Sequence, residues 1–207
     1  MTHTLHRFGE LDTLNDDLVF LSMSAKGFTN EEGSADKMRK TLEIAQKHNP
    51  VNLGDMKTGT ILATSIDEIM EKVKDTSIVH AVFSNMEDAS AFAKEVREAE
   101  LGISLVVSSP FERTWELADK SGCIGHTIEY SGGIWGKTEK LPPPEVLQFT
   151  TMCGHGMISR YLVADVIERV KAGKMTPKDG ALELGKQCCC GIFNPDRAEK
   201  LLKKLAT

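Results

Sequence analysis

Long apolar runs, excess positive charge and aromatic rings are what this 207-residue chain has little of. No stretch reaches the roughly 18 consecutive apolar residues of a membrane-spanning helix, and the opening MTHTLHRFGELDTLNDD has no apolar core of secretion-signal length. Both absences point to a cytoplasmic protein with no membrane partner. Lys and Arg number 25 against 30 Asp and Glu, a net charge of −5, so nothing electrostatic favours nucleic acid. Aromatics make up 6%, too few for a base-stacking surface. Neither the G-x-G-x-x-G dinucleotide fingerprint nor G-x-x-x-x-G-K-[ST] is present, and there is no internal repeat.

Cysteine is sparse but concentrated. Of the five, Cys188, Cys189 and Cys190 are consecutive, and Cys153 lies in Met152-Cys153-Gly154-His155-Gly156. An odd number cannot pair completely, and a reducing cytoplasm disfavours a disulfide framework. Free thiols, metal or cluster ligation are the readings left. Cys123, outside the group, reads as a buried structural thiol.

Periodicity predicts an α/β fold. Residues 18–25 read as a buried strand, followed by a polar loop from Lys26-Gly27 and a helix over 37–48 that His48-Asn49-Pro50 ends. The glycine-bearing stretch 51–63 reads as loop with a short strand. A helix starts at Thr64 or Ser65, with Ile66, Ile69, Met70 and Val73 as its apolar stripe. Strand 78–83, helix 87–101, strand 103–108 and a helix opened by Ser109-Pro110 then alternate, which predicts a parallel strand pair. Residues 126–130 add a further strand. The expected sheet is therefore partly parallel, in a two-layer or three-layer domain.

Lys140-Leu141-Pro142-Pro143-Pro144 is stiff and extended, and marks a boundary. The division is an α/β domain over 1–140 and a small helical, cysteine-bearing subdomain over 141–207. Helices are expected over 157–172, from Thr176 to about 186, and from the Asn194 cap onward.

Those caps place the cysteine triplet in a loop between the last two helices and Cys153 in a glycine-bounded turn before another. Two of the three adjacent thiols plus Cys153 would hold a metal and leave one position open, as catalytic sites do. The sulfur-rich donor set favours a [4Fe–4S] cluster over zinc, with copper(I) third. His155 would be a fourth ligand or an acid/base beside the open position, and His126 a second catalytic histidine. Lys57, Lys137 and Arg7 are candidate cations for an anionic small-molecule substrate. His3 and His6 form an H-x-x-H pair, while His80 reads as a core residue of its strand.

The expectation is a metal- or cluster-dependent enzyme of lyase, hydratase or desulfidase type. The alternative is a metal or sulfur carrier, or a thiol redox accessory protein. Exposed charged helix faces permit a homodimer without requiring one.

Overall fold

The computed structural model describes residues 4–24 and 32–206. His3 and most of the loop after Ala25 lie outside the described residues. Five strands form one sheet: β1 (Leu18–Met23), β2 (Asn52–Asp55), β3 (Gly59–Thr60), β4 (Ile78–Phe83) and β5 (Ser104–Ser108), in the order β3-β2-β4-β1-β5. Every paired ladder is antiparallel. This corrects the expected parallel pair. Strands β4 and β5 do run the same way, but β1 lies between them and bonds to both, with Leu21 opposite His80 on one side and Val106 on the other. The β4–helix–β5 crossover is thus a split β-α-β unit.

The described helices are α1 (Leu11–Leu14), α2 (Ser34–Gln46), α3 (Ile66–Lys72), α4 (Met86–Glu98), α5 (Phe111–Ser121), α6 (Pro144–Thr150), α7 (Arg160–Lys171), α8 (Pro177–Gly185) and α9 (Pro195–Ala206). Capping side chains fix several starts, by accepting backbone N–H bonds that the first turn would otherwise leave unmade. Ser65 Oγ accepts from Glu68 N at 3.2 Å, Thr176 Oγ1 from Asp179 N at 3.0 Å, and Asn194 Oδ1 from Arg197 N at 2.9 Å. Ser109 does not cap α5. The helix begins at Phe111, and Pro110 takes the extended cap conformation instead.

Alternation along the strands separates two cores. Leu18, Phe20, Leu53, Val79, Ala81 and Phe83 face α2, α3, α4 and α5. Val19, Leu21 and Val82 face the other way, into a core built with α6, α7, α8 and α9. Helices thus cover both faces, in three layers, and the second layer comes wholly from beyond residue 140. Residues 126–130, expected as a strand, are irregular and exposed and join no ladder.

Candidate functional site

Two chain segments meet on the second face of the sheet. The first follows α6, where Cys153 N bonds to Thr150 O at 3.3 Å and Gly156 N to Cys153 O at 3.1 Å, making a tight turn that ends at the Ser159 cap of α7. The second follows α8, where Cys188 N bonds to Gly185 O at 3.0 Å and the chain passes through Cys189, Cys190 and Gly191 to the Asn194 cap of α9.

The cysteine loop lies directly on the backbone of β2. A Cβ added to Gly54 would stand 2.6 Å from Cys190 O, and one added to Gly191 would stand 2.6 Å from Gly54 N. Gly191 also has φ +83°, which a side chain would resist. Asn52 reinforces the seam, donating through Nδ2 to Phe193 O at 2.9 Å and accepting from Thr60 Oγ1 at 2.5 Å. Gly54 therefore serves the cysteine loop, whose backbone a side chain there would displace.

Cys153, Cys188 and Cys190 are buried to within 2% of full exclusion, while Cys189 is exposed. Cys188 Sγ lies 3.8 Å from Cys190 Sγ, and Cys190 Sγ lies 3.6 Å from His155 Nδ1. Cys153 interacts electrostatically with Cys188, so the interactions run Cys153–Cys188–Cys190–His155. His155 is on the exposed turn, so its end of the chain opens to solvent.

Cys188 is the acidic member. Thiol donors Cys153 and Cys190, then the backbone N–H groups of Cys190 and Ile192, hold its pKa well below the usual thiol range despite burial. Cys153 and Cys190 are pushed upward, first by their hydrogen bond to Cys188 and then by burial. Cys189 is raised by burial and by the Cys188 charge. The three buried groups interact strongly, and the shifts favour the thiolate form at Cys188 over Cys153 and Cys190.

Arg7 stands behind this loop. It bonds to Ile192 O and pairs with Asp17 at 3.0 Å, its side chain 6% exposed. Arg197 reaches the same Asp17 oxygen at 3.2 Å and donates to Phe8 O at 2.7 Å. Asn194 Nδ2 donates to Asp17 Oδ1 at 3.1 Å. Two buried guanidiniums share one carboxylate and tie the N-terminal segment to α9. Burial lowers the Arg197 pKa, and Asp17 opposes that shift.

The other candidates lie apart from the thiols. Lys57 is exposed and donates to Thr76 Oγ1 at 2.7 Å, on the turn after β2. His126 contacts its neighbour Thr127 Oγ1 at 2.7 Å, and Lys137 is exposed on the same irregular segment. His6 Nδ1 lies 3.1 Å from Ser131 Oγ. His80 is buried in β4. Sequence reasoning missed Asp17, Asn52 and Arg197. Only Arg197 left a signal, because it shares the inward stripe of α9 with Ala198, Leu201 and Leu202.

Among the described residues, no group of three or more His, Cys, Asp or Glu side chains stands ready to hold a metal ion. The pairwise spacings still bear on which metal the donors suit. Around one tetrahedral zinc, with Zn–S near 2.3 Å and Zn–N near 2.0 Å, neighbouring sulfurs stand about 3.8 Å apart and sulfur and nitrogen about 3.6 Å. A cubane puts each thiolate on a different iron and spreads the sulfurs further. The Cys188–Cys190 and Cys190–His155 spacings match the single ion. A cavity of about 370 Å³ lined by Gln46, Pro50, Leu53, Ile61 and Thr64 involves none of these donors.

Comparison with protein-family models, curated proteins and solved structures found no match to this chain.

Proposed function

We propose that Cys153, Cys188 and Cys190, with His155, bind a soft metal ion, and that the chain is a metal-dependent enzyme acting on a small anionic metabolite by elimination, hydration or sulfur removal. The observation that carries this reading is the convergence of three buried thiols from two separate segments. Zinc in a mononuclear site takes precedence over the [4Fe–4S] cluster because of the 3.8 Å and 3.6 Å spacings. The Cys188–Cys190 backbone is fixed against Gly54, so closing these residues into a ligand set would fall to Cys153 and His155 on the other segment.

When bound, the metal would supply a Lewis acid to the substrate oxygen or sulfur. His155, at the solvent side, would bind the metal or move protons to and from the substrate. Lys57 would meet substrate charge from the turn after β2. Arg7 works from behind, fixing the peptide that follows the cysteines.

A second reading rests on a different observation. Cys188, its pKa lowered by neighbouring Cys153 and Cys190, has exposed Cys189 beside it, which also suits a sulfur or metal carrier.

Anaerobic purification followed by metal and sulfide analysis tests the proposal. One zinc per chain is expected, with thiolate charge-transfer bands on cobalt substitution, and loss of binding in Cys153→Ser and Cys190→Ser. Stoichiometric iron and sulfide with absorption near 400 nm would replace zinc by the cluster. A protein that takes up no metal after anaerobic reconstitution would sink the metal reading, and full rapid alkylation of the triplet in the loaded protein would favour the carrier.

A further inference from the structure

Residues 124–140 are all exposed, and those from Ile124 to Trp135 have no regular secondary structure. A solvated connection of that length is normally polar. This one carries Ile124, Ile128, Tyr130, Ile134 and Trp135, with exposures of 93%, 56%, 73%, 45% and 84%. Between Ile124 and Gly136 the only ionised side chain is Glu129. Ile124, Ile128 and Tyr130, all strongly exposed at alternating positions of this irregular segment, form an apolar ridge along it. This is the pattern of a half-buried strand that has no partner strand within the described chain.

The ridge runs beside a matching surface. Phe111 and Trp115, one turn apart on α5, are 48% and 46% exposed. The Phe111 and Tyr130 rings are 6.4 Å apart, and a Cβ at Gly125 would stand 3.7 Å from the Trp115 ring. Ser131 is anchored at His6, so the segment is held along the body of the chain. The four aromatic side chains alone leave on the order of 500 Å² exposed. That already equals the largest apolar patch of a typical monomer, about 300–600 Å². Adding three isoleucines brings the patch toward the roughly 800 Å² that each partner contributes to a stable interface.

We propose that this arm and the Phe111–Trp115 face of α5 form the interface with a second copy of the chain. An isologous contact requires one patch to be its own complement. Here an apolar ridge lies next to an apolar helix face on the same chain, so the arm of each copy can cover α5 of the other. The low charge of the arm spares two identical surfaces from repulsion, as interface centres require. The contact is independent of the cysteine site.

The test is sedimentation and light scattering on the full chain, beside Tyr130→Ser/Trp135→Ser and, as a second disruption, Ile124→Asp. All three positions are exposed, so far-UV dichroism and metal content are expected to stay unchanged in the variants, while melting loses only the concentration-dependent stabilisation that the dimer supplies. The wild type is expected to be a dimer, with the dimer dissociation constant raised at least about a hundredfold in the double variant. Trp135 is expected to be shielded from acrylamide quenching in the wild-type dimer and accessible in the Ile124→Asp variant. A monomeric wild type, whatever other protein covers the arm, or variants that dimerise as tightly as the wild type, would overturn the proposal.

Discussion

On one face of the sheet, Phe20, Phe83 and Phe92 stack with ring centroids 5.0–5.7 Å apart, among aliphatic side chains from α2, α3, α4 and α5. On the other, the C-terminal helices bury three thiols, and two arginines share one aspartate at the border with the N-terminal segment. The first face is held chiefly by apolar burial, with polar links such as Arg39 to Met70 O and His48 to Glu95 joining its helices at the rim. The second brings together residues as distant as Arg7, Gly54, Cys153 and Cys190, and holds polar groups that are tolerated only while each has its partner. A fold of this kind divides its labour: one face makes the sheet stable, and the other can carry chemistry because the sheet is already secure.

The sharpest way to break that contrast is to cut one partner from each face. Asp17→Ala leaves two buried guanidiniums without their carboxylate, and is expected to destabilise the chain by about 5 kcal/mol, the upper end for removing one partner of a buried pair. Phe92→Ala should cost about 3–4 kcal/mol through lost burial and the cavity left behind. Denaturant unfolding measures both. The thiols discriminate between them: native-state reaction with a disulfide reagent should expose Cys188 and Cys190 in Asp17→Ala, because Arg7 and Asn194, which hold the chain just after Cys190, lose their bonds to Asp17. The same reaction should be unchanged in folded Phe92→Ala. Equal thiol exposure in the two variants would mean that the faces are not independent.

The two faces also differ in how far their sequence revealed them. Strands 18–23 and 78–83, the stripe of α3 and the caps at Ser65, Thr176 and Asn194 were legible because each rests on local periodicity or a single hydrogen bond. Pairing was not. Nothing local in 78–108 says that β1 will insert between β4 and β5, so an antiparallel sheet read as a parallel pair. Residues 126–130 alternate like a strand, yet no ladder receives them. The cysteine segments could be seen as ends of one site through their flanking caps. The Gly54–Gly191 seam and the Arg7–Asp17–Arg197 group could not, because backbone contact and charge pairing across more than a hundred residues leave no pattern in either segment. Arg7 read as a cation for substrate, and its side chain is instead closed against Asp17.

A gentler probe sharpens the comparison through pH. Unfolded, all three buried cysteines titrate near the ordinary thiol value of about 8.5. Folded, Cys188 is depressed while Cys153 and Cys190 are raised. Near neutral pH the unfolded chain binds about one proton more at these sites, so stability should rise with pH, by at most about 1.4 kcal/mol per unit. The excess falls to zero at about pH 8.2, where the three unfolded thiols hold about two protons, and above that the sign reverses, because the unfolded chain has lost protons that folded Cys153 and Cys190 retain. Urea unfolding across this range should show a maximum between the two limbs. Cys188→Ser should abolish the rising limb, and the native 240 nm thiolate absorbance at neutral pH should vanish with it. A flat profile in the wild type would mean that Cys188 rests as a thiol.

The smallest effect belongs to the one cysteine of the triplet that the packing leaves out. Cys189 shares its neighbours' sequence but not their environment: it faces solvent, and its pKa is raised by burial and by the Cys188 charge. Exposure alone therefore should not make it reactive. Alkylation of the native protein should be confined to Cys189 at first, modest near neutral pH, and faster as the pH passes 9 and thiolate accumulates. Cys189→Ser should change unfolding free energy by no more than about 0.5 kcal/mol, as for a surface site without buried partners. It should leave metal uptake intact while removing the early alkylation. If Cys189→Ser instead lost the metal or several kcal/mol, the buried pair would not be the ligating one, and the loop would have to turn over to bind.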